Sequence, residues 1–452
     1  MSSSLPGQNL KLRSEPQSDL KLRSEPQSDV KEMRTAINHY DIKEELGSGG
    51  YGKVYRAYTR TGESVAIKKI PIKEEGIPCL LEATIMASIK HPNINHASQI
   101  FTCTKCLNIV QEEALSDLAK HTRRKITPLS TVRRWAHQIS SAVLVFHRLG
   151  FVHADIKASN ILYFTGQSSA ARQDKGDYVK LSDYTLIAKM WHPKDKFMSS
   201  AGTNTHSAPE VLLGQLWNRS IDIWSLACTF YQMAFGKYLF NLQDRGDSPN
   251  GSKRCKVSYH NAIAAFFNMR DHLSANVSFV PCDNESLLYT AEYALFHDLI
   301  FKMLRYNPDD RINIEQVINH PFFTGLVRIP PTIVHGKVGN ISGKKLETVS
   351  GIILRMLRGC VEYYTVQEIT YMNEIAVETY KRVQALDKSK VLREVVLAGC
   401  CLIGAKIVLG RLGAEFRLNT EVSMDRMYNM EGEICVYLSY CIPIGFNEMV
   451  LD

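Results

Sequence analysis

The spacing of hydrophobic residues divides the chain into a β-rich part and a helical part. Residues 42–59 and 64–70 alternate polar with apolar positions and carry β-branched residues around glycines, which is typical of strands. Residues 79–89 have a helix-like pattern, and from 129 to about 323 the period of the apolar positions is mostly helical. This pattern predicts a small β-rich lobe followed by a large helical lobe.

The N-terminal segment carries no such pattern. Residues 10–19 are repeated as residues 20–29, and the repeat is polar, balanced in charge and broken by proline. A segment of this kind buries too little apolar surface to offset the entropy that is lost on ordering. We therefore predict a disordered tail over residues 1–39.

Beyond the large lobe, residues 324–345 are rich in proline, glycine and valine, and we interpret them as a linker. Residues 346–452 then show helical periodicity and almost no proline. Segments of this block with the length and periodicity of amphipathic or buried helices are 368–383, 391–407 and 424–440. The simplest interpretation of the block is a helical bundle.

Composition is that of an ordinary globular protein, with 45% hydrophobic and 22% charged residues among 452, enough for more than one domain. The net charge of +8 favours acidic partners, but no long block of lysine and arginine predicts direct nucleic-acid binding. No signal peptide is expected, and the longest apolar run, 395–405, is shorter than the roughly 20 residues that a membrane span needs. The 11 irregularly spaced cysteines indicate reduced thiols. We expect an intracellular protein, in cytoplasm or nucleus, that is neither secreted nor membrane-bound.

The first candidate functional motif along the chain is a glycine-rich segment. Residues 47–54 fit the pattern G-x-G-x-x-G-x-V, in which glycines let backbone amides close over phosphates. Dinucleotide-binding loops share this pattern, but they lead directly into a helix. Here the next element, 65–68, is a predicted strand ending in Lys68, at the separation expected for a lysine that binds the α- and β-phosphates.

A second cluster of polar residues fits phosphoryl transfer. Residues 153–160 place Asp155, Lys157 and Asn160 on one short loop, and Asp183 follows a predicted hydrophobic strand. In phosphoryl transfer, such groups accept the hydroxyl proton, neutralise the phosphoryl group and hold magnesium. Further motifs follow along the chain at 202–203, 208–210, 222–225 and Arg311.

Taken together, these motifs resemble the eukaryotic protein kinase family, and the resemblance covers about residues 40–323. Within the family the chain is most similar to the cyclin-dependent kinases, through the segments 49–52, 75–82, 91–94, 111–114 and 208–214. The resemblance implies a bilobal α+β fold, with a small lobe over 40–114 and a large lobe over 115–323. It also implies ATP and Mg²⁺ as cofactors and the serine or threonine hydroxyls of protein substrates as acceptors.

The same resemblance assigns residues to the site. Glu82 is expected to pair with Lys68, and Glu210 with Arg311. Thr203 is expected to contact residues 153–160, which we call the catalytic loop, leaving room for serine or threonine but not for tyrosine. The implied catalytic residues are Asp155, Lys157 and Thr203, and the implied metal ligands are Asn160 and Asp183. The implied ATP-binding residues are Leu46, Gly47, Ser48, Gly49, Gly50, Tyr51, Gly52, Lys53, Val54, Ala66, Lys68, Glu82, Glu112, Ala114 and Leu162.

The sequence departs from the kinase pattern at positions that concern regulation. Ala154 stands where the family usually has an arginine that senses a phosphorylated activation segment. Thr185 replaces a usual glycine, and Ser207 replaces an arginine that favours proline after the target residue. Phosphorylation of the activation segment and proline-directed specificity therefore stay open, whereas the groups needed for ATP turnover are all present.

The C-terminal block is similar to a cyclin box. Residues 391–394 and 402–406 resemble its central buried helix and the lysine at its end, here Lys406, and Glu431 resembles the glutamate that pairs with this lysine. This resemblance implies an all-α cyclin-like domain over 346–452 that activates the kinase within the same chain, with a separate cyclin as an alternative partner. A pseudokinase scaffold is the main alternative function, and a small-molecule kinase is a weaker one.

Overall fold

The computed structural model describes residues 40–49, 52–72, 80–103, 106–166, 176–199, 201–240, 263, 290–327, 330–333, 343–360, 364–384, 390–409, 418–420, 422–438 and 442. The tail predicted to be disordered, residues 1–39, lies outside them, as do Gly50 and Tyr51 of the glycine-rich segment.

An antiparallel sheet with one helix forms the small lobe. In chain order its elements are β1 (Tyr40–Gly49), β2 (Gly52–Thr59), β3 (Ser64–Pro71), α1 (Leu80–Ser88), β4 (Ile89–Lys90), β5 (Ala97–Cys103) and β6 (Cys106–Glu112). The sheet order is β1-β2-β3-β6-β5. Alternation along the strands directs one set of side chains into a shared apolar cluster: Ile42, Ala57, Val65, Ile67 and Val110. The strands predicted over 42–59 and 64–70 are thus present.

Helix α1 is buried around its whole circumference. All of its residues are buried except one alanine, and the buried set includes the carboxylate of Glu82. A helix of this kind must be covered on every side. It ends at Ser88, one residue earlier than the pattern predicts, because Ile89 leaves the helix to form strand β4.

The large lobe is mainly helical, with short strands near the small lobe. Its elements are β7 (Ser116–Asp117), α2 (Leu118–Thr122), α3 (Leu129–Arg148), β8 (Phe151–Val152), β9 (Ile161–Phe164), β10 (Tyr178–Leu181), β11 (Ala188–Lys189), α4 (Pro209–Leu212), α5 (Ser220–Phe235), α6 (Ala291–Met303) and α7 (Ile314–Ile318). Helix α5 is buried over almost its entire length, and α2, α3 and α6 pack against it. It is therefore the central support of this lobe.

Short strand pairs hold the loops that carry polar residues. Strands β7, β9 and β10 form one small sheet, and β8 pairs with β11. Residues 153–160 follow β8 directly, and Asp183 follows β10 after one residue. Both polar loops are therefore anchored at their beginnings.

Beyond residue 323 the described chain is mostly helical. It contains β12 (Thr332–Ile333), α8 (Gly343–Met356), α9 (Val366–Val383), α10 (Lys390–Leu409) and α11 (Met424–Tyr437). Helix α10 is central, and α8, α9 and α11 pack against it. Helices α9 and α10 approach so closely that a Cβ atom at Gly404 would lie 2.5 Å from the backbone oxygen of Met372. The predicted helical bundle is present, with α8 as a helix that the periodicity missed.

The helical bundle contacts the small lobe. Helix α10 lies against α1, and α11 lies against β5. Strand β12 pairs with β4, with Thr332 opposite Lys90 and Ile333 opposite Ile89. The segment predicted as a plain linker, 324–345, thus carries a strand that is paired to the end of α1, and α8 begins inside it.

None of the helices described is both long enough and apolar enough to cross a lipid bilayer.

Candidate active site

The loop after β8 gathers a compact set of polar groups around Asp155. Lys157 Nζ donates to one carboxylate oxygen of Asp155 at 2.8 Å, and Thr203 Oγ1 donates to the other at 2.8 Å. Lys157 also donates to Thr203 Oγ1 at 2.7 Å, and Asn160 Nδ2 lies 3.0 Å from Asp155 Oδ2. The structure therefore brings together the predicted catalytic residues and one predicted metal ligand.

The start of this loop rests on a buried carboxylate, Asp222 in helix α5. Its two oxygens accept from the backbone N–H groups of His153 at 2.8 Å and Ala154 at 2.9 Å. His147 Nε2 lies 2.9 Å from the same carboxylate. Ala154 has a φ of 62°, a left-handed conformation that is costly for a residue with a Cβ atom. The contacts with Asp222 hold the chain in this conformation.

Sequence reasoning assigned no role to Asp222, although it marked 222–225 as a motif. A usable signal was present, because Asp222 is the one charged residue in the mostly apolar stretch 220–235. A buried charge in such a helix needs partners.

Asp183 lies beside this loop in a backbone conformation that few residues adopt. Its φ is 64°, and its carboxylate accepts a hydrogen bond of 2.6 Å from Thr185 Oγ1. Burial alone would raise the pKa of Asp183, but the bond from Thr185 and the charges of Lys68, His153 and Lys157 lower it below its ordinary value. The carboxyl is therefore ionised at neutral pH, as a metal ligand must be.

The neighbouring Tyr184 fixes this segment. Its side chain is fully buried, and its hydroxyl lies 2.6 Å from the carbonyl oxygen of Leu181 and 2.8 Å from that of Asn95. Its ring packs edge-on against His153 of the catalytic loop. Tyr184 thus connects the Asp183 segment to the catalytic loop.

Lys68 on β3 faces the cleft from the small lobe. Its ammonium group lies 2.6 Å from the carboxylate of Glu82 on α1, which is 2% exposed. The predicted pair is therefore formed in this structure. The charge of Lys68 also lowers the pKa of Asp183, so this small-lobe group and this large-lobe group lie within electrostatic reach of each other.

The glycine-rich segment forms the turn-side ends of β1 and β2. Gly47 pairs with Val54, Ser48 with Lys53, and Gly49 with Gly52. A Cβ atom on Gly52 would lie 2.2 Å from the backbone oxygen of Lys69 in β3, so only glycine fits this position. Leu46, before the segment, is partly exposed.

The connection between the lobes carries two acidic side chains that are already engaged. The carboxylate of Glu112 accepts hydrogen bonds from Tyr178 and Lys180, and that of Glu113 accepts from Arg56 and Ser64. Hydrogen bonds to adenine at Glu112 and Ala114 would therefore be made by the backbone N–H and C=O groups of these residues. Of the other predicted ATP-binding residues, Ala66 lies on β3 beside Lys68 and Leu162 lies on β9.

The loop after Thr203 is tied to the large lobe by a buried ion pair. Arg311 Nη1 and Nη2 donate to the two carboxylate oxygens of Glu210 at 2.6 and 2.7 Å. This bidentate geometry is the strongest that an arginine and a carboxylate form. The predicted pair is present, and it fixes helix α4 near the cleft.

The residues present fit a magnesium nucleotide. Carboxylate and amide oxygens suit Mg²⁺, which is usually bound by one or two protein carboxylates together with the phosphates of the substrate. Asp183 and Asn160 are the residues that would hold it, and Lys68 would meet the phosphates. Among the residues described, no group of three or more histidine, cysteine or acidic side chains forms a metal site of its own.

The class of protein follows from the comparison with known families. Residues 40–323 match the family model of the protein kinase domain, which is more than half of the chain. The chain belongs to the protein kinase family, and its bilobal α+β fold with a helical region behind it is confirmed.

The chain is also similar to two proteins that are named as homologues of a cell division control protein. The "Cell division control protein 2 homolog 3" of Trypanosoma brucei brucei is 30% identical over 307 residues, which cover 65% of this chain and 94% of that protein. The "Cell division control protein 2 homolog 1" of the same organism is 26% identical over 318 residues, covering 64% and 98%. These similarities support the resemblance deduced from the motifs, and the family model ends before the C-terminal helices.

Proposed function

We propose that this chain is a serine/threonine protein kinase of the cyclin-dependent type that is activated by its own C-terminal helical domain. The observation that carries the proposal is the position of α10 against α1, in a structure where α1 presents Glu82 to Lys68 at 2.6 Å. A kinase transfers phosphate only when this ion pair is in place.

In the proposed reaction the substrate hydroxyl lies at Asp155, which accepts its proton as the oxygen attacks the γ-phosphorus and ADP leaves. Lys157, held between Asp155 and Thr203, compensates the negative charge that builds up on the transferred group. Asn160 and Asp183 would hold Mg²⁺, which would supply further charge neutralisation on the phosphates. The short reach between Thr203 and Asp155 favours a serine or threonine over the longer tyrosine.

The proposal that the helical domain is cyclin-like rests on the interior of that domain. Lys406 at the end of α10 and Glu431 on α11 form an ion pair of 2.8 Å, as the resemblance implied. Both are buried, with 6% and 0% exposed. A buried pair of this kind fixes how two helices are arranged more than it stabilises them. Both side chains are therefore withdrawn from solvent, and Lys406 acts through this ion pair.

Activation within one chain follows from the connection between the domains. Residues 324–342 tether the helical domain, and β12 in this tether is itself paired with β4 at the end of α1. A tethered domain has a millimolar effective concentration and needs no separate partner to stay bound. A separate cyclin would have to displace α10 from α1.

The activator role is tested by loosening the helical domain in the full chain. Gly404→Ala places a methyl group against the backbone of Met372, whereas at Gly351 in α8 a Cβ atom meets only the end of Arg355, at 3.9 Å. We expect Gly404→Ala to lower peptide turnover at least about 10-fold while ATP affinity stays within a few-fold, and Gly351→Ala to leave both unchanged.

Lys406→Glu is the second variant, because it would bury two carboxylates together. Circular dichroism and limited proteolysis report whether the helical domain has loosened in each variant. Full turnover in a variant whose helical domain has loosened would contradict the activator role. If none of the active-site substitutions lowers ATP hydrolysis, the protein does not turn over ATP at this site, and the scaffold alternative is favoured.

A further inference from the structure

A second contact between the helical domain and the kinase domain lies away from α1. The ring of Trp191, in the segment between Asp183 and Thr203, stacks on the ring of Tyr371 in α9. The ring centroids are 4.5 Å apart and the planes are inclined by 21°. The hydroxyl of Tyr371 accepts a hydrogen bond of 2.8 Å from Gln367, one helical turn earlier, which orients the ring.

Trp191 is itself held in a closed turn. Its backbone N–H and that of His192 both donate to one carboxylate oxygen of Asp195, at 2.7 and 2.8 Å. The backbone N–H of the preceding Met190 donates to Gly150 at 2.6 Å. The indole ring therefore projects from a fixed piece of backbone.

The contact continues from Trp191 toward the catalytic loop through Lys189. The Lys189 ammonium group lies 5.3 Å from the centre of the Trp191 ring and 4.6 Å from that of the Phe151 ring. It also donates to the carbonyl oxygen of Leu149 at 2.6 Å. Burial lowers the pKa of Lys189 to about 8. Lys189 is paired with Phe151 across β11 and β8, and β8 leads directly into the loop that bears Asp155.

We propose that Trp191 is a positioning residue for phosphoryl transfer. In this proposal Tyr371 holds Trp191, and residues 188–195, the first arm of the segment, therefore stay packed on β8, the strand that leads into the catalytic loop. This proposal rests on the activator role of the helical domain, but it concerns a different contact from that between α10 and α1.

The stack of Trp191 on Tyr371 can hold the segment between Asp183 and Thr203 in place without phosphorylation of that segment. Ala154 in the catalytic loop has a methyl side chain, which cannot bind a phosphate. The other end of the segment is held by apolar and backbone contacts too. Phe197 and Trp217 exchange backbone hydrogen bonds of 2.7 and 2.9 Å, and their rings lie 4.7 Å apart.

The expected size of the effect follows from the stack. An aromatic pair contributes enough beyond its buried area to shift a two-state equilibrium roughly 2- to 12-fold. The interaction with a desolvated ammonium group adds to this. We therefore expect the loss of either ring to lower the active population about 10-fold.

The test compares Trp191→Ala, Tyr371→Ala, the double variant and Tyr371→Phe in the full chain. Each alanine variant is expected to lower kcat on a peptide about 10-fold with the KM for ATP unchanged, and the double variant is expected to be no worse than either single one. Tyr371→Phe keeps the ring and is expected to stay within about twofold of the original. Hydrogen exchange of residues 188–195 should rise in Tyr371→Ala and not in Tyr371→Phe, whereas global melting should not separate the two variants.

Full kcat in Tyr371→Ala, or additive losses in the double variant, would overturn the proposal. An equal loss in Tyr371→Phe would overturn it as well, because the stack would then be irrelevant. The Gly404→Ala variant separates this result from failure of the activator role. If Gly404→Ala is impaired and Tyr371→Ala is not, only the Trp191 proposal is wrong. If Gly404→Ala is fully active with a loosened helical domain, the activator role itself is wrong.

Discussion

Asp222→Asn is expected to destabilise the kinase domain and to lower its turnover. The carboxylate accepts from the N–H groups of His153 and Ala154 at 2.8 and 2.9 Å, and His147 Nε2 lies 2.9 Å away. An asparagine has the same size but offers one acceptor oxygen instead of two. At least one of the two backbone N–H groups, that of His153 or that of Ala154, therefore loses its acceptor and faces the side-chain NH₂ group of the asparagine.

The magnitude follows from the contacts that are lost. An unsatisfied buried donor costs about 1–3 kcal/mol, and a hydrogen bond to a charged group contributes about 1.5–3 kcal/mol. Ala154 at φ 62° keeps a strained conformation only while its N–H is held. We expect the free energy of unfolding to fall by about 3 kcal/mol, which corresponds to a drop in Tm of about 6–12 °C for a domain of this size.

The assay is thermal unfolding followed by calorimetry, together with peptide turnover at saturating ATP. Asp309→Asn is the matched control, because Asp309 is an exposed carboxylate of the same lobe, in the short turn Pro308–Asp310 that has no buried residue. It is expected to cost less than about 1 kcal/mol. Adding Ala154→Gly to Asp222→Asn should restore part of the stability, since glycine adopts a left-handed conformation without strain. If Asp222→Asn melts as the control does and retains full turnover, the reasoning about this anchor is refuted.

Other predictions concern the chemistry directly. Asp155→Asn is expected to lower kcat by roughly 10²–10⁴-fold with ATP affinity within a few-fold, and more than about a tenth of the original kcat in a peptide assay would contradict the role of Asp155. Gly52→Ala should raise the KM for ATP about 10-fold or more, because its Cβ would lie 2.2 Å from the backbone oxygen of Lys69, whereas Gly49→Ala meets nothing within 4 Å and should change it much less. Products from a mixed peptide library should be phosphoserine and phosphothreonine when analysed by mass spectrometry, and a majority of phosphotyrosine would contradict the role of Thr203.

The sequence was most informative where function depends on short spacings. Asp155, Lys157 and Asn160 lie on one loop, so their order along the chain already places them together. The pairs Lys68–Glu82 and Glu210–Arg311 join distant segments, and no local pattern specifies them. They could be predicted only through the resemblance to a family.

Contacts between the helical domain and the kinase domain could not be predicted in this way. Strand β12 has two residues and pairs with a strand more than two hundred positions earlier, so no periodicity marks it. The stack of Trp191 on Tyr371 likewise depends on how two domains meet. Such contacts are stabilised by tertiary packing, which overrides local propensity. Asp222 was marked as part of a motif, but its partners could be identified only in the fold.

The burial of α1 on all sides has a consequence for biosynthesis. An isolated helix of nine residues is not stable in water, so α1 depends on its neighbours for its structure. One of these neighbours, α10, is synthesised more than three hundred residues later. At ribosomal speed this delay is on the order of 15–60 s, during which one face of α1 emerges without its cover. The nascent kinase lobes therefore expose an apolar surface until α10 has been synthesised, and we expect chaperones to bind it. A prematurely terminated chain would keep that surface and be a substrate for degradation rather than an unregulated enzyme.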